Sequence, residues 1–182
     1  MQGIIIYDSK YGATRQYAEW LGTELNLPFS LSHNITKKQI DEADYLLIGT
    51  PVYFGKFRIR RWLRKNAGNI NNKKLFFFIV NATAPDEQER RDKFAKDNIG
   101  GEIRNKCEIY FLPGRLIHKN LTPFDKLMVK MGERAIKDPV KRNGIRSDLD
   151  NVKKENLVKL IERVNNYCSE RSQAIHLARP FI

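Results

Sequence analysis

Gly3-Ile4-Ile5-Ile6-Tyr7-Asp8-Ser9-Lys10-Tyr11-Gly12-Ala13-Thr14 changes character halfway along, and the fold is read from that change. Ile4 to Ile6 form a β-branched run suited to a central parallel strand buried on both faces. Ser9 to Thr14 then make a tight polar turn, and Tyr17, Ala18, Trp20 and Leu21 follow at helical spacing. A strand, a hydroxyl-bearing loop and a helix start together form an anion site. The first-turn amides of a helix have no intrahelical partner, and the helix dipole puts partial positive charge there. The Ser9 and Thr14 hydroxyls can donate to the same anion, and Gly12 lets the backbone approach it. The plainer alternative is a strand-to-helix turn in which Ser9 and Thr14 cap the helix. Neither the arc of a P-loop nor the three glycines of a dinucleotide fingerprint is present.

At 182 residues with 41% hydrophobic content, the chain fits one globular domain spanning 1–182. No apolar run approaches the roughly 20 residues that cross a bilayer. The chain starts directly on the first strand, from which a cytoplasmic protein without a targeting segment is expected. The 33 Lys and Arg outweigh 21 Asp and Glu, for a net charge of +12. That field attracts anionic partners: lipid, acidic protein, nucleic acid or a carboxylated substrate. Cys107 and Cys168 are too few and too distant for a metal cluster and read as buried or half-buried free thiols. His33 has no second ligand at metal spacing, so no metal is expected.

Further along, the pattern predicts a helix over 14–26, a short strand over 29–33 and a helix over 37–43 capped by Thr36. Residues 45–49 are a third buried strand, followed by the loop Thr50-Pro51-Val52-Tyr53-Phe54-Gly55. The β-α-β-α-β order gives a doubly wound sheet whose first and third strands flank the point where connections reverse. Tyr53 and Phe54 offer flat surfaces to a ring bound there; the alternative is that both pack on the next helix. A basic helix is expected over 56–66, buried through Ile59, Trp62 and Leu63, with an exit at residues 68–72. Residues 75–80 form a fourth strand ending in Asn81-Ala82-Thr83, whose small residues leave amides free, while residues 85–87 read as a helix start. A charged helix over 88–99, a fifth strand over 107–112, a last helix over 150–168 and a loose tail at 179–182 complete the count.

Residues 113–148 exceed what a five-stranded unit needs. Within them Phe124, Leu127, Met128 and Met131 share one helical face, with Lys126, Lys130, Arg134 and Lys137 around it. Such a basic amphipathic helix lies on an anionic membrane, caps an apolar substrate or packs into the core.

Three stretches carry a family resemblance: Ser9-Lys10-Tyr11-Gly12-Ala13-Thr14, Gly49-Thr50-Pro51-Val52-Tyr53-Phe54-Gly55, and Pro113-Gly114-Arg115 before the basic helix. On these the chain resembles the flavodoxin superfamily over nearly its whole length. In particular it is similar to the flavodoxin-like menaquinone-dependent protoporphyrinogen dehydrogenase family. The flavodoxin phosphate loop runs hydroxyl-x-Thr-Gly-x-Thr, and Tyr11 stands here at its middle threonine. The resemblance implies a five-stranded parallel sheet of order 2-1-3-4-5, with residues 113–148 inserted after the fifth strand. It implies FMN between the first and third strands, as in flavodoxin itself. The phosphate would lie on Ser9, Lys10, Tyr11, Gly12, Ala13 and Thr14, the isoalloxazine against Thr50 to Gly55, and its pyrimidine edge at Asn81, Ala82 and Thr83. Electrons would pass from an anionic tetrapyrrole such as protoporphyrinogen to a quinone, with the cofactor carrying the chemistry and no catalytic side chain demanded. His118 is a candidate for proton transfer near neutral pH, against the ordinary reading of an exposed loop histidine. The alternative function is an electron carrier for a protein partner, which the positive charge disfavours because such flavodoxins are generally acidic. Nucleic acid is suggested by charge alone and is disfavoured. Peripheral contact with the inner face of an anionic membrane fits the basic helix.

Overall fold

Strand β1 (Gly3–Tyr7) is buried from end to end, as a β-branched run with no polar face requires. Its side chains alternate between two apolar layers. Ile4 and Ile6 join one layer and Ile5 and Tyr7 the other. The computed structural model describes residues 1–81, 88–135 and 147–177. Around β1 stand β2 (Phe29–Leu31), β3 (Tyr45–Tyr53), β5 (Lys74–Asn81) and β6 (Cys107–Pro113). They are all parallel, in the order β2-β1-β3-β5-β6. This is the doubly wound order expected, once a two-residue strand β4 (Lys56–Phe57) is counted between the third and fourth long strands.

The layer containing Ile4 and Ile6 is closed by α2 (Lys37–Glu42), α3 (Arg60–Ile70) and α5 (Gly101–Arg104) through Ile40, Leu63, Ile70 and Ile103. The other layer is closed by α1 (Ala13–Leu25) and α7 (Val158–Leu177) through Tyr17, Leu21, Leu160 and Val164. Helix α4 (Gln88–Asn98) lies between β5 and α5 in the chain. Thr36 closes a capping box with Gln39 at the start of α2. Cys107 opens β6 and Cys168 lies in α7, both as free thiols; burial pushes the Cys107 thiol up to about 11.

Four expectations change. The strand over 29–33 stops at Leu31, because Ser32–Asn34 turns into a 3-10 helix that leaves His33 exposed. The helix expected over 56–66 begins only at Arg60 and continues through Gly68 to Ile70, held by the buried Leu63 and Ile70. The last helix starts at Val158, after a 3-10 turn over Lys154–Leu157, and runs to Leu177. The loop over 50–55 is mostly strand. β3 extends to Tyr53, and β4 pairs back on it antiparallel, with Val52 opposite Phe57 and Tyr53 opposite Lys56. Phe54 (φ 48°) and Gly55 (φ 77°) supply the two positive φ values of a tight type I′ hairpin. Asn98, buried in α4, braces this turn: its side chain accepts from Phe57 N–H at 2.9 Å and donates to the Gly55 carbonyl at 3.0 Å.

After β6 the chain forms a small ribbon, β7 (Arg115–Leu116) against β8 (Leu149–Asp150), tied by Arg115 Nε to Asp150 at 2.7 Å. The ribbon fixes the base of the excursion that carries α6 (Pro123–Ala135). Phe124, Leu127 and Met131 on α6 are more than half exposed, so the apolar stripe is not core. Ala82, Thr83, the helix start at 85–87, Lys137 and the tail at 179–182 lie outside the described residues.

An L-residue in the left-handed region costs about 1–2 kcal/mol, and Asn tolerates it far better than Phe. Phe54→Asn is therefore expected to raise the urea unfolding free energy by roughly 0.5–1 kcal/mol. A loss of stability instead would mean that the Phe54 ring contributes more packing than its backbone costs.

Candidate functional site

The loop after β1 and the turn after β3 meet because the two strands are neighbours. Asp8 N–H donates to the Gly49 carbonyl at 3.0 Å, locking the start of the loop to β3. Within the loop, Gly12 N–H donates to Ser9 Oγ at 3.2 Å. Gly12 sits at φ 85° at the N-cap of α1, and α1 carries no side-chain cap. A Cβ built at Gly12 would meet nothing within 4 Å, so the space over the turn is open. Thr14 is 1% exposed, and its hydroxyl is buried without a hydrogen-bond partner. Neither Ser9 nor Thr14 caps the helix, so the plain capping reading fails. A buried hydroxyl left unpaired costs roughly 1–3 kcal/mol. Beside uncapped first-turn amides, it has the chemistry of a donor awaiting an anion, and this donor set fits a phosphate.

The loop forms one end of a cavity of about 480 Å³, a size usual for small-molecule sites. Ser9, Lys10, Tyr11, Ala13 and Thr14 line it, together with Pro51, Val52, Tyr53, Phe54, Gly55 and, at the end of β5, Asn81. Gly12 shapes the turn without lining the wall. Thr50 is fully buried behind it, where its Oγ1 accepts from Ile59 N–H at 3.4 Å. Tyr53 and Phe54 line the cavity, their rings edge-on with centroids 4.4 Å apart. Arg90 and Phe94 of α4, and Arg115 from the ribbon, add further wall; Arg115 also donates to Gln16 Oε1 of α1 at 2.9 Å. His118 is half-buried in a 3-10 turn, its N–H on Asp148 at 2.7 Å, and does not line the cavity.

The inserted helix closes the remaining side through Asp125, Met128, Val129, Gly132 and Glu133. Asp125 is 2% exposed. It takes Lys10 Nζ at 2.6 Å, and the phenols of Tyr11 and Tyr53 donate to its two oxygens. Lys10 also sits 4.2 Å from the centre of the Tyr53 ring. Burial by itself would push the Asp125 carboxyl up. Hydrogen bonds from Lys10 and Tyr11, with the Lys10 charge, overcome this and hold it below the usual carboxylate range. Sequence reasoning missed Asp125. Its signal is the spacing of 125, 128, 129 and 132, a second helical stripe beside the one read from Phe124, Leu127, Met128 and Met131; of that face, Met128 turns to the cavity. Asn98 was missed too, an amide in a helix read as merely charged. Among the described residues, no cluster of His, Cys, Asp and Glu is arranged to hold a metal, and no helix is long and apolar enough to cross a membrane.

The family described as Flavodoxin domain matches residues 4–143. The protein from Escherichia coli (strain K12) named protoporphyrinogen IX dehydrogenase [quinone] is 22% identical over 141 residues, covering 72% of this chain and 78% of the relative. Among solved structures, the flavodoxin, WrbA-like protein of Agrobacterium tumefaciens aligns with a TM-score of 0.48 at 14% identity, over 80% of this chain and 93% of that one. Oxidised Flavodoxin 2 from Bacillus cereus aligns with a TM-score of 0.47 at 13% identity, over 80% and 92%.

Because Asp125 titrates lower in the folded chain than in the unfolded one, its bonds stabilise the fold fully above about pH 4 and are lost as pH falls through the depressed value. Urea unfolding of wild type and Asp125→Asn between about pH 6 and pH 3 is expected to show a stability gap that narrows only below about pH 4. A gap constant across that window would mean that the carboxylate gains nothing from Lys10 and Tyr11.

Proposed function

This chain belongs to the flavodoxin domain family, and on that premise we propose that it binds FMN and acts as an oxidoreductase between a small organic substrate and a quinone-type acceptor. One observation carries the reading. The partnerless Thr14 hydroxyl lies at the uncapped start of α1, at one end of a cavity walled further along by Tyr53 and Phe54. The phosphate would lie on the amides of Ser9 to Thr14 and take the Thr14 O–H. The isoalloxazine would lie against Tyr53 and Phe54, an aromatic contact that stabilises by about 1 kcal/mol beyond burial. Asn81 would bound the pyrimidine edge, with Ala82 and Thr83 assigned to the same edge on sequence alone. FMN, when bound, supplies the redox chemistry that no side chain here provides. The protein's own residues bind, orient and keep water out: Met128 and Val129 cover the cavity with apolar surface, and Asp125 neutralises Lys10 beside it.

For the substrate we extend the name of the Escherichia coli relatives, protoporphyrinogen IX dehydrogenase [quinone], to this chain as part of the proposal. Arg90 at the cavity wall and the net charge of +12 suit a substrate bearing carboxylates. The second reading, an electron carrier for a protein partner, has the family in its favour and the charge against it.

The outer face of α6 suits a bilayer. Phe124, Leu127 and Met131 are exposed among the exposed cations Lys126, Lys130 and Arg134. Such a face combines shallow apolar insertion with attraction to anionic headgroups, where a lipid-soluble quinone resides. We therefore place the protein peripherally on the inner face of the membrane.

Purified protein should be yellow, and its heat-released flavin should be FMN rather than FAD. Thr14→Ala should weaken FMN by about 1.5–3 kcal/mol, the worth of a charge-assisted hydrogen bond, and spare riboflavin. Equal loss for both flavins would put the phosphate elsewhere. Turnover of protoporphyrinogen with a quinone supports the enzyme; transfer to redox proteins alone supports the carrier. On vesicles, binding should require anionic lipid, weaken with salt and be lost in a Phe124→Ser, Leu127→Ser, Met131→Ser variant. Equal binding to neutral vesicles would remove the charge argument.

A further inference from the structure

Asp125 is the one charged side chain that is buried among the described residues. It belongs to the excursion closed off by the β7–β8 ribbon, yet its partners come from the domain proper. Lys10 and Tyr11 stand on the loop after β1, and Tyr53 at the end of β3. Thr122, one residue before α6, adds a bond of its own, its N–H reaching Tyr11 Oη at 3.3 Å. These polar ties are gathered at the N-terminal end of α6. The rest of the helix rests on the cavity through Met128, Val129 and Gly132, and its outer face meets solvent. The helix thus lies over a space rather than over the sheet, seated at its N-terminal end by the Asp125 carboxylate with the Thr122 N–H beside it.

We propose that Asp125 is a positioning residue that latches α6 closed over the cavity, so that the cofactor leaves only when the bonds to Lys10, Tyr11 and Tyr53 let go. The proposal rests on the cavity being the FMN site. The three bonds share one acceptor group, so they are made and broken with the seating of one helix end. A carboxylate enclosed by an ammonium and two phenols is held by charge-assisted bonds, and its removal leaves Lys10 without a counter-charge. While the latch is made, the Tyr53 phenol is fixed, and with it the angle of the ring that faces the cavity. When it is broken, α6 keeps its ribbon hinge at Arg115 and Asp150 but loses its seat.

The test is amide hydrogen exchange on the full-length, flavin-free chain, comparing wild type with Asp125→Asn. Asn keeps the side-chain volume and lacks the charge. The α6 amides should exchange about tenfold or more faster in the variant, and by a clearly larger factor than those of β1, β3 and β5, which follow only the global stability. Release of FMN on dilution should quicken by a similar factor. Unchanged exchange in α6 overturns the latch, and faster exchange without faster release overturns its role as a cover. If wild type holds no FMN, the cofactor reading falls, and the exchange comparison decides the latch alone. Should Asp125→Asn fail to fold, Tyr11→Phe and Tyr53→Phe each remove one donor and should loosen α6 in smaller steps. No loosening in either also overturns the proposal.

Discussion

Strands of a parallel sheet all end on the same side, and the site depends on that constraint. β1 and β3 are neighbours, so the polar loop after one and the hairpin after the other meet at a single edge, joined by Asp8 N–H on the Gly49 carbonyl. β5 and β6 end beside them, bringing Asn81 and the inserted excursion to the same place. What holds these ends still is burial. Ile4, Ile5 and Ile6 are locked between two apolar layers, and β5 repeats the arrangement with Phe76, Phe77 and Phe78. A rigid edge of this kind can keep Gly12 at positive φ and the Thr14 hydroxyl unpaired, because the core supplies the stability that the loop lacks.

The excursion uses that edge in two directions. One stripe of α6, through Asp125, Met128 and Val129, closes the cavity; the next, through Phe124, Leu127 and Met131, is left to solvent among cations. A single helix therefore carries both the cover of the cavity and an apolar, basic outer surface. The two proposals made for it, a latch within and a bilayer contact without, draw on different residues and do not compete.

Much of this was legible in the sequence because it rests on local patterns. The isoleucine run, the loop Ser9 to Thr14 and the helical spacing after it place β1, α1 and the turn between them almost to the residue. The apolar runs at 75–80 and 107–112 do the same for β5 and β6, while the run at 45–49 gives only the first half of β3, which continues to Tyr53. The hairpin was not legible. Ile59, Trp62 and Leu63 have helical spacing, and extending that period back to Lys56 hides β4, whose turn uses Phe54-Gly55 rather than the usual Asn-Gly. Asp125 was hidden for another reason. Its partners lie more than seventy positions away in the chain, on loops that only the sheet brings to it. The apolar stripe of α6 was legible as a pattern, but whether it faced inward or outward depended on where the ribbon hung the helix.

The central claim is that the loop from Ser9 to Thr14 holds the phosphate of a flavin. Titration of the flavin-free chain with FMN and with riboflavin tests it most directly. The account predicts one FMN per chain, bound about a hundredfold or more tighter than riboflavin, the worth of two charge-assisted hydrogen bonds. Equal affinity for the two, or no binding of either, would contradict it.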